Sequence, residues 1–390
     1  MNPPVKSPIP TNRTNHAGLY LHIPFCLQKC PYCDFYSVTD KDLIEPFVSA
    51  LVQEAVLSDS RGFRFDTVYL GGGTPSVLSL DAVARLIDTT LTVFQTASDS
   101  EITIEVNPGT VDGDRLNAYR DLGINRINIG AQSFQENNLH FLGRIHNASE
   151  ARQAIKDARS AGFDNIGIDL IYGLPGQDLN AWLADLSVAG QFMPEHLSCY
   201  MLTYEADTLL DRQRTAGTVR PLGDERCADL FEATVTSLDR AGYAQYEVSN
   251  FARTPAYQSR HNWKYWSLVP YMGLGPSAHS FVMPERYWNV RSVTAYIDQV
   301  AHGVRPIEEK EMLNREQQMT EYIYLGLRTV EGIDLAGFDN RFKVDFLSVY
   351  RETIHVLEQE KLAEISATRL TLTVKGLLLL DSIAGMFGTK

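Results

Sequence analysis

From residue 18 onward, short apolar runs alternate with stretches whose apolar residues recur at helical spacing. Runs of strand length lie at 18–23, 67–70, 101–106, 126–131, 165–171 and 196–202. Between them, apolar residues three and four apart predict helices near 41–59, 79–95, 111–122, 148–161 and 178–190. Thr110 precedes one of these helices as a start signal; Gly123 and Gly162 follow two of them as stops. Strands separated by helices of this length predict βαβ units and a parallel sheet. Six successive units predict an α/β protein with a partial (β/α)6 barrel, although an open sheet satisfies the same pattern.

The pattern changes after residue 250. Residues 254–292 are dense in Tyr, Trp, Gly and Pro without clear periodicity. Residues 308–330 read as one helix, 361–373 as a hairpin and 374–383 as a helix. The chain thus divides into a flexible lead-in (1–17), a barrel (18–250), an aromatic, Gly-rich linking segment (251–307) and a small α+β, winged-helix-like unit (308–390).

Composition narrows the function classes. The 390 residues are 44% apolar and 21% charged, as in soluble globular proteins. A net charge of −13 opposes a broad phosphate-binding surface, so no nucleic-acid partner is expected, even with a winged-helix-like unit. No apolar run reaches the ~18 residues of a membrane helix. The start of the chain is rich in Pro, Asn and Thr and has no apolar core, so it reads as a lead-in and not a secretion signal. The cytoplasm is the expected location.

Three of the five cysteines, Cys26, Cys30 and Cys33, form one C-x3-C-x2-C run. Three clustered thiolates can hold three irons of a [4Fe–4S] cluster and leave the fourth open. S-adenosylmethionine can chelate such an iron through its amino and carboxylate groups. A structural zinc site usually takes four ligands in paired knuckles, and no second C-x2-C exists here. A redox C-x-x-C would not need Cys26. A disulfide scaffold is poorly served by five cysteines in a chain this long. Cys199 reads as a core thiol and Cys227 as an ordinary helix residue.

Other residues fit the same chemistry. Gly71-Gly72-Gly73-Thr74-Pro75 follows the second strand, where glycine lets a ligand approach the backbone. It is neither a phosphate loop nor a dinucleotide fingerprint, and a plain tight turn would also account for it. In the third and fifth strands, alternation turns Glu105 and Asp169 away from the apolar face and into the barrel. A carboxylate buried there needs a polar partner, either a ligand or Arg144. Gln132 joins the same rim. His261-Asn262-Trp263-Lys264-Tyr265-Trp266 offers an imidazole beside aromatic faces, a combination suited to haem. Residue type alone favours a hydrogen-bonded core histidine instead. His279, in a Gly-rich loop, is the other candidate imidazole.

The runs LYLHIPFCLQKCPYCDF, GGGTPS, EVNPGT, IGAQSF, DLIYGLPGQ, YEVSNFAR and HNWKYW…YMGLGPSAHS resemble those of radical S-adenosylmethionine proteins of the oxygen-independent coproporphyrinogen oxidase group. The likeness spans residues 19–280 in order. It implies a radical-SAM barrel, and a HemN-like C-terminal unit. The oxidase carries a further cysteine where this chain has Phe35, so the chain looks more like the haem-chaperone branch. By this resemblance, Tyr20 and Gly72 contact S-adenosylmethionine at the cluster and Glu105 holds its ribose. Gly73, Thr74, Gln132, Arg144 and Asp169 match positions that in the oxidase line a pocket for a second S-adenosylmethionine. His261, in the HNxxYW run, is implied as a haem ligand or as the residue that orients one. The expected cofactors are a [4Fe–4S] cluster, S-adenosylmethionine and haem. The expected partners are a haem-accepting protein, an electron donor and, through the acceptor, transiently a membrane. The rival reading is oxidative decarboxylation of coproporphyrinogen III; a zinc-stabilised binding module is a third.

Overall fold

Residues 16–388 are described by the structure, a computed structural model; the expected lead-in up to residue 15 lies outside the described residues. Six strands carry the barrel: β1 (His16–Ile23), β2 (Arg64–Gly72), β3 (Thr96–Val106), β4 (Arg126–Gln132), β5 (Ile166–Tyr172) and β6 (His196–Met201). Adjacent members pair in parallel. The first strand begins at His16, two residues earlier than the apolar run suggested. Leu19, Leu21 and Ile23 of β1 are buried in the core. Gly18, Tyr20 and His22 alternate with them and face inward.

Helices cover the outside. Leu80–Val93 starts at Ser79, whose side chain accepts from Ala82 N, and buries Val83, Leu86, Ile87 and Thr90 on one stripe. Ala148–Ser160 opens with a capping box formed by Asn147 and Glu150. Both predicted stop glycines adopt positive φ, 86° at Gly123 and 85° at Gly162.

The sheet does not close. Beyond β6 lie β7 (Ala244–Gln245) and β8 (Asn250–Ala252). Beyond β1 lie β9 (Tyr271–Leu274), β10 (His279–Val282), β11 (Glu285–Asn289) and β12 (Ile307–Met312). The strand order is β12-β11-β10-β9-β1-β2-β3-β4-β5-β6-β8-β7. The barrel is therefore partial, with a hairpin extension on its β1 edge.

This extension corrects two expectations. The aperiodic stretch contains three strands and a helix, Arg260–Trp266. Residues 308–330 are not one helix: β12 pairs antiparallel with β11, and a helix follows only at Arg315–Arg328, capped by Asn314 and Gln317. Cross-strand pairing, which local periodicity cannot register, decided the matter.

The C-terminal unit has its own three-stranded sheet, Ile333–Asp334, Arg369–Leu372 and Ala363–Ile365 in spatial order, with helices around it. Phe338, Phe342, Phe346, Tyr350 and Phe387 form its aromatic core. Helix Arg315–Arg328 joins it to the barrel side. Arg328 lies 3.0 Å from buried Glu247, and its guanidinium sits 4.4 Å above the Trp266 ring.

Candidate cluster and cofactor site

The three cysteines lie in the loop after β1, at the C-terminal rim of the parallel strands where such folds place their ligands. The loop is tied at both ends: Cys26 N donates to Val38 O at 3.0 Å and Val38 N to Pro24 O at 2.7 Å. Cys33 N donates to Cys30 O at 3.2 Å, tightening the turn between them. All three thiols are free and half-buried. Thr74 Oγ1 lies 3.5 Å from Cys26 Sγ, and Arg144 Nη1 lies 3.5 Å from Cys30 Sγ. Burial pushes the Cys33 thiol up to about 11, a thiol that needs positive charge nearby to ionise. Iron supplies such charge, and Arg144 adds to it. The donor set, three unpaired thiols on one pinned loop with a cation behind, fits a cuboidal cluster. Among the described residues, no three His, Cys, Asp or Glu groups converge as they would on a single ion. A cuboidal cluster instead sets its thiolates on three different irons.

The glycine turn is built against this loop. Gly73 N donates to Ile23 O and Thr74 N to Phe25 O, both at 2.8 Å. A Cβ on Gly73 would stand 2.8 Å from Phe25 O and 2.9 Å from Ile23 O. Gly72 has φ +108°, and a Cβ there would meet the His22 ring at 2.6 Å. Gly73 therefore answers a close approach of two backbones and Gly72 the seat of the His22 ring, and neither is incidental to a turn.

Glu105 and Asp169 both face the interior, as alternation requires. Tyr69 Oη donates to Glu105 Oε1 at 2.7 Å, and Gly72 N donates to Oε2 at 3.3 Å. Burial pushes Glu105 up to about 7, against the pull of its Tyr69 bond. Asp169 is likewise raised by burial, against hydrogen bonds from Ser198 and from Asn128, whose Nδ2 lies 2.5 Å away. Arg144 does not pair with it; Arg144 reaches Cys30 and Tyr32, and Nη2 donates to Gly130 O at 2.8 Å. Arg144 Nε and Thr103 Oγ1 are buried without a hydrogen-bond partner, leaving polar capacity inside the barrel. Gln132 sits at φ +66°, a left-handed conformation unusual for this residue, at an irregularity in the β4–β5 ladder.

Tyr20 lies between this rim and the aromatic helix. Burial raises its phenol above the ordinary value, and its ring is 6.2 Å from Tyr69 and 6.3 Å from His261. Burial lowers His22 to about 4, so it is neutral. His22 Nε2 donates to Tyr36 O at 2.9 Å, which makes Nδ1 the acceptor for Tyr20 Oη at 3.0 Å.

His261 is buried, only 2% exposed. Its Nδ1 is 2.8 Å from Thr67 Oγ1 and its Nε2 is 2.9 Å from Tyr265 Oη. Burial, then the Lys264 charge, lowers it to about 3. Both nitrogens are thus engaged inside the barrel, and the ring stacks on Tyr69 at 5.0 Å. The helix that carries it is anchored at its start by Glu101, whose carboxylate accepts from Arg260 N and His261 N. Lys264, also 2% exposed, pairs with Asp66 at 2.5 Å. His279 is exposed on β10 and stacks on Trp288 at 5.4 Å.

The structure thus gathers Tyr20, Gly72, Gly73, Thr74, Glu105, Gln132, Arg144, Asp169 and the cysteines on one concave face and rim. His261 lies deeper on that face; His279 lies on the β10 extension beyond the β1 edge, within electrostatic reach of the inward-facing His22. Tyr69, His22, Asn128 and Tyr32 were missed. Strand alternation already turned Tyr69 inward beside Glu105, so that signal was available for it.

Comparison with known proteins gives the family. The radical SAM superfamily model matches residues 20–187, and the HemN C-terminal domain model matches 313–379. The haem chaperone HemW of Bacillus subtilis is 32% identical over 94% of this chain and 98% of its own length. HemW of Escherichia coli is 43% identical over 68% of this chain and 70% of its own. In structure, the chain resembles the Escherichia coli coproporphyrinogen III oxidase HemN, a radical SAM enzyme, with a TM-score of 0.83. That match covers 96% of this chain and 90% of the other at 24% identity, a likeness of fold. With full-length relatives at this identity and both domain models in place, the chain belongs to the HemW family of the radical SAM superfamily.

Proposed function

We propose that the chain is a haem chaperone that retains a radical SAM centre. It holds a [4Fe–4S] cluster through Cys26, Cys30 and Cys33, binds S-adenosylmethionine beside it, and delivers haem to a haem-accepting protein. The observation that carries this reading is the shared face: the cysteine loop, the inward carboxylates and the HNWKYW helix all serve one concave surface of the sheet. Haem as cargo comes from the relatives named haem chaperone. Phe35, 65% exposed, stands where the oxidase has its additional cysteine and argues against the decarboxylase reading.

The residues divide the work. The three thiolates ligate iron, while Thr74 donates toward Cys26 and Arg144 sets a cation against Cys30. When bound, the cluster supplies a low-potential electron to S-adenosylmethionine. Gly72 and Gly73 seat the turn against His22 and the segment leading to Cys26, which sets the turn's backbone beside the ligand, and Glu105 accepts its ribose hydroxyls. Tyr20, Gln132 and Asp169 form the remaining walls. His261 acts by orienting: its hydrogen bond fixes Tyr265, the next aromatic in the motif. An electron donor and a reducing, cytoplasmic setting complete the proposal. Among the described residues no helix is long and apolar enough to cross a membrane.

The test is anaerobic reconstitution with iron and sulfide, followed on the same sample by haem titration and a coproporphyrinogen III decarboxylation assay. The proposal expects a brown protein, saturable haem binding and no decarboxylation. Decarboxylation without haem binding would replace it by the oxidase reading.

A further inference from the structure

The concave face continues past β1 onto the hairpin extension. Gly18 pairs with Tyr271, Tyr271 with Phe281, and Phe281 with Arg286. Paired residues point to the same side of a sheet, so Tyr271, Phe281 and Arg286 form one cross-strand row. Gly18 points toward His261, Lys264 and Thr67, which fixes that side as the inner one. Helix Arg315–Arg328 of the C-terminal unit lies opposite. Between them opens a cleft of about 240 Å³, lined by Tyr265, Leu268, Tyr271, Phe281, Arg286, Glu321, Tyr324 and Leu325. Tyr265 is the wall shared with the interior. Its oxygen holds His261, and its ring meets Tyr271 at 4.6 Å. Leu268, at the lip, has φ +54°, a strained conformation for a leucine that the surrounding packing must hold.

The geometry points to this cleft as the seat of the haem macrocycle, with Arg286 as the counter-charge for a propionate. The inference rests on the haem-carrying function proposed above. Four aromatic rings and two leucines offer cover for a flat apolar ring, and the lining includes one cation, Arg286. That cation is paired with Glu321 across the cleft. A propionate entering the cleft exchanges places with the Glu321 carboxylate on Arg286, one carboxylate for another. The cleft also explains the buried HNWKYW histidine: the motif meets the ligand through Tyr265, with His261 holding that ring from behind.

The experiment titrates ferric protoporphyrin IX into the reconstituted full-length chain. Soret absorbance and quenching of tryptophan fluorescence are read together. Arg286→Ala should weaken binding about tenfold or more, the usual effect of losing a charge-assisted hydrogen bond. Glu321→Gln should tighten it several-fold, because Arg286 loses its competitor; a merely structural ion pair would not give this sign. Tyr324→Ala should weaken binding, and Arg85→Ala, on the far surface, should not. Cluster absorbance and near-ultraviolet dichroism check folding; if Arg286→Ala misfolds, Arg286→Lys and Glu321→Gln decide. Wild-type binding with Arg286, Glu321 and Tyr324 variants unchanged overturns the cleft but leaves the chaperone reading standing. No saturable binding by the wild type overturns the chaperone reading itself.

Discussion

Gly73→Ala tests how the cysteine loop is held. The added methyl would stand 2.8 Å from Phe25 O, 2.9 Å from Ile23 O and 3.0 Å from Phe25 N. All three are backbone atoms of the segment leading to Cys26, so no rotamer change can relieve the contact. Overpacking of this kind costs about 1–3 kcal/mol. The alternative is to separate the two segments and lose the bonds from Gly73 N to Ile23 O and Thr74 N to Phe25 O. Two such bonds contribute about 0.5–1.5 kcal/mol each, so that route costs about 1–3 kcal/mol as well. Either way Thr74 moves off Cys26 Sγ. Gly190→Ala is the control, because a Cβ there meets nothing and the residue is inside helix Leu179–Gln191. It should stabilise by up to about 1 kcal/mol. Urea unfolding followed by circular dichroism measures both, with iron content after desalting as a local readout. Wild-type stability and full iron retention in Gly73→Ala would refute the argument that this glycine serves a backbone approach.

Replacing Cys26, Cys30 or Cys33 by Ser should abolish the brown chromophore on reconstitution; four irons retained in Cys26→Ser would remove it from the ligand set. Lys264→Met takes the cation at 2.5 Å from buried Asp66, which keeps Arg260 at 3.2 Å. It should destabilise by about 3 kcal/mol, the low end for breaking a buried pair, as read from urea unfolding. Glu105 should give a pH signature. Its folded value of about 7 exceeds its ordinary 4.5, so the folded chain binds the extra proton between those limits. Its contribution to stability is therefore complete at low pH and falls as pH rises from about 4.5 to 7. Glu105→Gln should flatten that part of the profile, whereas an unchanged profile would contradict the burial argument.

Much of the barrel was legible because its signals are local. Alternation in β3 and β5 identified Glu105 and Asp169 as inward, and cysteine spacing singled out the loop after β1. What was not legible depends on contacts distant in sequence. Thr67 occupies His261 Nδ1 from 194 residues away, and nothing near His261 announces it. Charge alone offered Arg144, beside a ligand, as a partner for an inward carboxylate; the fold gave Asp169 to Asn128 and Ser198 and sent Arg144 to Cys30. The parallel pairing of β9 with β1 spans only four residues of a Gly- and aromatic-rich run, too short for periodicity to reveal. Residues 308–330 misled because charged Glu and Lys positions in β12 imitate the polar face of a helix.

Haem stoichiometry of the anaerobically reconstituted chain, followed by mixing with an excess of apomyoglobin, distinguishes a carrier from a surface that merely adsorbs haem. A carrier binds one haem per chain, with the cluster absorbance preserved, and transfers that haem to the apoprotein. Haem that binds without saturation and is never released to the acceptor would contradict the chaperone reading.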